Sequence, residues 1–134
     1  MLSNGSGKDA DLRIVIVEDE PFIRLELESI VRGAGHDVVG GAATGQDAIR
    51  AVEEQRPDVI LMDIGLVGDM NGVETAKTIH DRWAIRSLFV SAISGHLRDS
   101  ADGARPFGFL LKPIAPERLV DALKEIARQL GKSG

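Results

Sequence analysis

Six polar residues stand where short apolar runs give out. Glu18, Asp19 and Glu20 follow "LRIVIV", Asp63 ends "PDVILM", Ser91 lies near the end of "RSLFVSA", and Lys112 follows "FGFLL". If these ends share one rim, up to four carboxylates, a hydroxyl and an ammonium meet there. Carboxylates a few ångströms apart repel, so one protonates unless a cation intervenes. Oxygen ligands without His or Cys suit Mg²⁺, which takes one or two carboxylates plus a phosphate. A carboxylate is also a nucleophile toward phosphorus, giving an acyl phosphate. Phosphoryl transfer needs in-line positioning and neutralised equatorial oxygens. Mg²⁺ would cover one oxygen, Lys112 a second and the Ser91 hydroxyl a third, with Asp63 receiving the group. Each residue alone is matched by a bland alternative, a solvated charge or a satisfied hydroxyl in a turn. The joint pattern at four strand ends is much harder to obtain by chance.

The elements that would gather these residues alternate from Asp11 onward. "LRIVIV", "HDVVGGAA" (the weakest), "PDVILM", "RSLFVSA" and "FGFLL" read as strands, rich in β-branched or apolar residues. Between them lie helical patterns. In "PFIRLELESIVRGAG", Pro21 suits a first turn and Phe22, Ile23, Leu27, Ile30, Val31 and Ala34 form an apolar face. "TGQDAIRAVEEQR" opens on Thr44 and Asp47 at capping-box spacing, and "GVETAKTIHDRW" turns Val73, Ala76, Ile79 or His80, and Trp83 to one side. "APERLVDALKEIARQL" carries Leu119, Leu123, Ile126 and Leu130 at helical spacing. Residues 93–106 hold two glycines and few apolar side chains, so a fourth helix there should be short or poorly packed. Strands spaced by helices imply right-handed βαβ units. The expected fold is α/β, a flavodoxin-like doubly wound (βα)5 with a five-stranded parallel sheet in the order 2-1-3-4-5. Ligands in such sheets bind beyond the carboxyl ends of the strands.

Totals narrow the classes further. The 134 residues fit one domain, and 43% apolar residues are enough for a core. A net charge of -5 argues against direct nucleic-acid binding and against an anionic membrane surface. The chain has no Cys, which removes disulfides, thiolate metal sites and cysteine nucleophiles and is compatible with a reducing cytoplasm. No apolar run nears the ~18 residues of a membrane span. Residues 1–10 read as a flexible tail, 11–131 as the domain and 132–134 as a second tail. His36, His80 and His96 lie in different elements without metal-ligand spacing and read as structural or solvated; Trp83 reads as a partly buried anchor.

In order and spacing, "IVIVEDEP", "PDVILMDIGL", "NGVETAKTI", "LFVSA" and "GFLLKP" resemble the receiver domain of bacterial two-component response regulators, over about residues 11–130. The resemblance implies a single-domain phosphoacceptor that is not an enzyme in its own right, though it assists its own phosphorylation and dephosphorylation. It implies that Asp63 accepts a phosphoryl group from a histidine kinase or a histidine phosphotransfer protein. Glu18, Asp19, Asp63 and the backbone carbonyl of Gly65 would hold Mg²⁺, or Mn²⁺ in its place, and Ser91 and Lys112 would bind the phosphoryl oxygens. Ser91 would then move toward the new group, Phe109 would turn inward, and the face of helix four, strand five and helix five would change for an output protein. An ordinary core aromatic is the alternative at Phe109.

The chain departs from the family pattern at several points. Glu18 stands where Asp is commoner, Ser91 where Thr is frequent, and Ala115 where a capping hydroxyl is frequent; the loop after Asp63 is one residue longer and lacks its proline. A cis Lys112–Pro113 bond would aim the lysine inward, while X-Pro bonds are cis in only ~5–6% of cases, so both forms stay open. Two other functions compete: a phosphorylation-independent binding module of the same shape, and a Mg²⁺-dependent aspartyl-phosphate phosphohydrolase. The second usually needs another acid two residues after the nucleophile, where this chain has Gly65. A flavodoxin is disfavoured because an acidic cluster, not a phosphate-cradling loop, follows strand one.

Overall fold

The computed structural model describes residues 11–66, 68–92 and 101–132. Five strands, β1 (Arg13–Val17), β2 (Asp37–Ala42), β3 (Val59–Asp63), β4 (Ser87–Ser91) and β5 (Gly108–Leu111), alternate with α1 (Pro21–Gly33), α2 (Gly45–Gln55), α3 (Gly72–Trp83) and, after β5, α4 (Pro116–Gln129). All pairings are parallel and the strand order is β2-β1-β3-β4-β5, the expected doubly wound order.

Period-two alternation splits the core into two layers. Val15, Val17, Ile60, Met62 and Phe89 face α2 and α3, where Ala48, Val52, Val73, Ala76 and Ile79 meet them. Ile14, Ile16, Val59, Leu61, Leu88 and Val90 face the other way, onto Leu27 and Val31 of α1 and Leu119, Leu123 and Ile126 of α4. β3 and β4 are buried along their whole length, the mark of central strands covered on both faces. β2 is an edge strand and only its last residue is buried, in line with its weak signal.

Five expectations meet a specific outcome. Phe22 does not join the apolar face of α1: it is 81% exposed, while Ile23 beside it packs against the core. Leu130 caps α4 and is exposed as well. Of Ile79 and His80, Ile79 is the buried one, and Trp83 is half-buried with the Arg56 and Arg82 guanidinium groups over its ring. At 93–106, residues 93–100, His96 among them, lie outside the described residues, and Ala101–Ala104 form a single 3-10 turn with Ala101 and Ala104 buried against the α3 layer. The tail residues 1–10 and 133–134 also lie outside the described residues.

His36 is structural. It is buried at the start of β2, and its Nδ1 accepts a hydrogen bond from the Leu12 N–H at 3.0 Å, tying β2 to the entry of β1. That bond requires the neutral ring. Burial lowers the His36 pKa, against opposing pulls from the Asp11 and Asp37 carboxylates.

Candidate functional site

The central strands bring the predicted residues to one rim. Val17 pairs with Met62, so Glu18 leaves β1 beside Asp63. Asp63 pairs with Val90, which places Ser91 next to it at the end of β4. The Lys112 N–H donates to the Ser91 carbonyl at 2.8 Å, continuing the β4–β5 ladder and fixing where the lysine leaves the sheet. The Lys112–Pro113 peptide is cis.

One carboxylate oxygen each from Glu18, Asp19 and Asp63 lies within 4.8 Å of the other two. Glu18 and Asp63 are buried while Asp19 is exposed, so the cluster is dry on the sheet side and open on the other. Lys112 Nζ sits 2.8 Å from Glu18 Oε1 and 3.6 Å from Asp63 Oδ2. The first contact is a close ion pair and the shorter of the two. Glu18 Oε2 accepts from the Glu20 N–H at 3.1 Å. Burial pushes the Glu18 carboxyl up from its ordinary value; the Lys112 ammonium and the Glu20 N–H pull it back, and the Asp63 charge adds to the rise. For Lys112, burial favours the neutral amine, but contact with Glu18 and the charges of Asp63 and Glu18 outweigh it, and its pKa is raised.

Three negative groups with one ammonium leave the rim short of positive charge. The donor set is all oxygen. Both features fit a hard divalent cation such as Mg²⁺. The Glu20 carboxylate takes no part in the cluster. Its side chain accepts from the Phe22 N–H and caps α1, so the third acid of the "EDE" run serves the helix.

Asp63 Oδ1 accepts from the Gly65 N–H at 2.9 Å, a bond across two residues that orients the carboxylate. Ser91 is buried beside it. Phe109 pairs with Phe89 in register and stacks on its ring, with centroids 5.4 Å apart at 16°, packed against the α2–α3 layer.

The loop back to α3 contains residues that sequence reasoning did not assign to the site. Ile64 and Leu66 are buried and anchor its near end. At the far end, Asn71 Oδ1 accepts from the Glu74 N–H and Glu74 Oε1 accepts from the Asn71 N–H, both at 2.9 Å, a complete capping box. Gly72 then passes so close that a Cβ there would lie 2.1 Å from the Asp63 carbonyl oxygen. The spacing of Asn71 and Glu74 could have revealed the cap; nothing local reveals what Gly72 touches.

Known proteins match this chain in sequence and in fold. The family model described as the response regulator receiver domain matches residues 14–124. Over 118 residues the chain is 32% identical to a chemotaxis protein CheY of Thermotoga maritima, covering 87% of this chain and 98% of that one. It is also 32% identical to the transcriptional regulatory protein PdtaR of Mycobacterium tuberculosis, but there it spans only 60% of the relative's length. A crystal structure of a CheY-like response regulator receiver domain protein from Methanospirillum hungatei superposes with a TM-score of 0.83 at 26% identity, covering 91% of this chain and 98% of that one.

Proposed function

This chain belongs to the response regulator receiver domain family of two-component signalling, and we propose that it works by taking up a phosphoryl group on Asp63. A carboxylate oxygen of Asp63 attacks phosphorus, the new P–O bond forms, and the bond to the donor's leaving group breaks with its electron pair staying on that group. The Gly65 N–H on Oδ1 fixes the carboxylate for an in-line approach. Lys112, already 3.6 Å from Oδ2, pairs with a phosphoryl oxygen, and the Ser91 hydroxyl donates to another. Glu18 and Asp19, with Asp63 and the Gly65 carbonyl, hold Mg²⁺. When bound there, the ion supplies positive charge against the transferring group's oxygens.

One observation carries this reading: three carboxylates and the Lys112 ammonium converge on the rim where the central strands end. Donors of the right chemistry are a histidine kinase or a phosphohistidine transfer protein. The output is a protein contact on the face of β5 and α4, altered as Ser91 and Phe109 respond. The site is a cytoplasmic signalling acceptor, turning over only through the loss of its own phosphoryl group. Among the described residues no helix is long and apolar enough to cross a membrane.

Intact mass measured after incubation with acetyl phosphate and Mg²⁺ tests the reading. Wild type should gain one phosphoryl mass, and Asp63→Asn or excess chelator should abolish it. Labelling retained in Asp63→Asn removes Asp63 as the acceptor. No labelling of wild type leaves a phosphorylation-independent binding module, and many turnovers of a phosphomonoester per site would point to a hydrolase.

A further inference from the structure

The Asp63–Ile64 peptide is wedged from behind. Gly72 opens α3, and a Cβ on it would lie 2.1 Å from Asp63 O, 2.8 Å from Ile64 Cα and 2.9 Å from Asp63 C. All three are backbone atoms that cannot swing aside as a side chain can. On the other side of this turn stands Gly45, the first residue of α2, where a Cβ would lie 2.4 Å from Thr75 Oγ1 and 2.9 Å from Met70 Cβ. Thr75 is fully buried and its hydroxyl donates to the Asn71 carbonyl at 2.8 Å. The first turn of α3 is therefore pressed between α2 and the acceptor's own peptide, with two glycines as the contact points.

We propose that Gly72 is a positioning residue for phosphoryl uptake: its missing side chain lets α3 seat on the Asp63 carbonyl, and this seat holds the Asp63 carboxylate and the Gly65 peptide in register with Glu18 and Lys112. The inference rests on Asp63 as acceptor. A methyl group at position 72 needs roughly 1 Å of relief, and misplacing a reacting group by that much costs on the order of a hundredfold in rate. The Asp63 carbonyl accepts from the Leu66 N–H at 3.3 Å and the Ile64 N–H donates to the Val90 carbonyl at 3.1 Å, so a push on this peptide passes into the turn that carries Gly65.

The test compares Gly72→Ala with Leu27→Ala, a buried truncation in the core layer on the other face of the sheet from α3. Initial rates of labelling by acetyl phosphate with Mg²⁺ are read by intact mass, thermal midpoints by circular dichroism, and the Gly65 amide by ¹H–¹⁵N correlation spectra. Gly72→Ala should label on the order of a hundredfold more slowly with a shifted Gly65 amide, while Leu27→Ala should lower the midpoint yet label at the wild-type rate with that amide unmoved. Wild-type labelling by folded Gly72→Ala, or an equal loss of rate in Leu27→Ala, overturns the proposal. If Gly72→Ala does not fold, Thr75→Val decides: it keeps the volume, removes the bond to Asn71, and should slow labelling by about fivefold, an unchanged rate being fatal. If wild type is never labelled, the acceptor reading fails, and the Gly65 amide still shows whether Gly72 seats the loop.

Discussion

Replacing Lys112 by Met tests the electrostatics of the rim while leaving Asp63 in place. Met keeps the length of the stem and removes the charge. At an effective dielectric of about 20, an ammonium 2.8 Å from a carboxylate attracts it by about 6 kcal/mol before desolvation is subtracted. Removing one partner of a buried pair costs about 3–5 kcal/mol. Two features reduce this. The Lys112 side chain is 17% exposed, and Glu18, with its carboxyl already raised by burial, escapes part of the penalty by taking up a proton. We expect a net loss of about 2–3 kcal/mol at pH 8, which at urea m-values of ~1–3 kcal/mol/M is a drop of about 1–2 M in the midpoint. The loss should be smaller at pH 5, where Glu18 is more readily neutral in the folded state. Mg²⁺ should restore much of it by replacing the missing positive charge, and Lys112→Met with Glu18→Gln should be more stable than Lys112→Met alone. Urea unfolding followed by Trp83 fluorescence reads all of this. A midpoint unchanged in Lys112→Met, or a double variant that simply adds a second loss, would refute the idea that this lysine neutralises a buried carboxylate.

Other predictions follow from single contacts. Because burial lowers the His36 pKa, the unfolded chain takes up this proton first as pH falls below about 6.5. Stability should therefore be flat above that value and decline toward the folded-state pKa, and His36→Asn should flatten the thermal midpoint between pH 7.5 and 5.5. Asn71→Ala removes half of the capping box and should cost about 1 kcal/mol in urea unfolding. Phe22→Ser should change stability by no more than about 0.5 kcal/mol, since the ring is 81% exposed; a large loss would mean that the ring packs.

Much of the architecture is legible in the residues because it depends on local period. The apolar runs of β1, β3 and β4 and the 3.6-residue stripes of α3 and α4 are written in consecutive residues, and parallel βαβ chirality converts their order into a sheet order. That order alone sends Glu18, Asp19, Asp63, Ser91 and Lys112 to one edge. Phe22 misled for the same reason: helical spacing says which side a residue faces and not whether another element covers it.

What the tertiary structure decided are the contacts between residues far apart in the chain. The sequence by itself determined that carboxylates, a hydroxyl and an ammonium share a rim, since strand ends and topology suffice for that. It could not assign Lys112 to Glu18 at 2.8 Å ahead of Asp63 at 3.6 Å, a difference set by side-chain reach across the sheet. Nor could it separate Glu20, spent on capping α1, from the two acids before it. Gly72 is the clearest case. In the sequence it is one glycine among 15, and only the approach of α3 to the Asp63 carbonyl leaves no room for a side chain there. Local patterns follow from backbone geometry, which each residue carries with it; close approach follows from packing, which no residue carries alone.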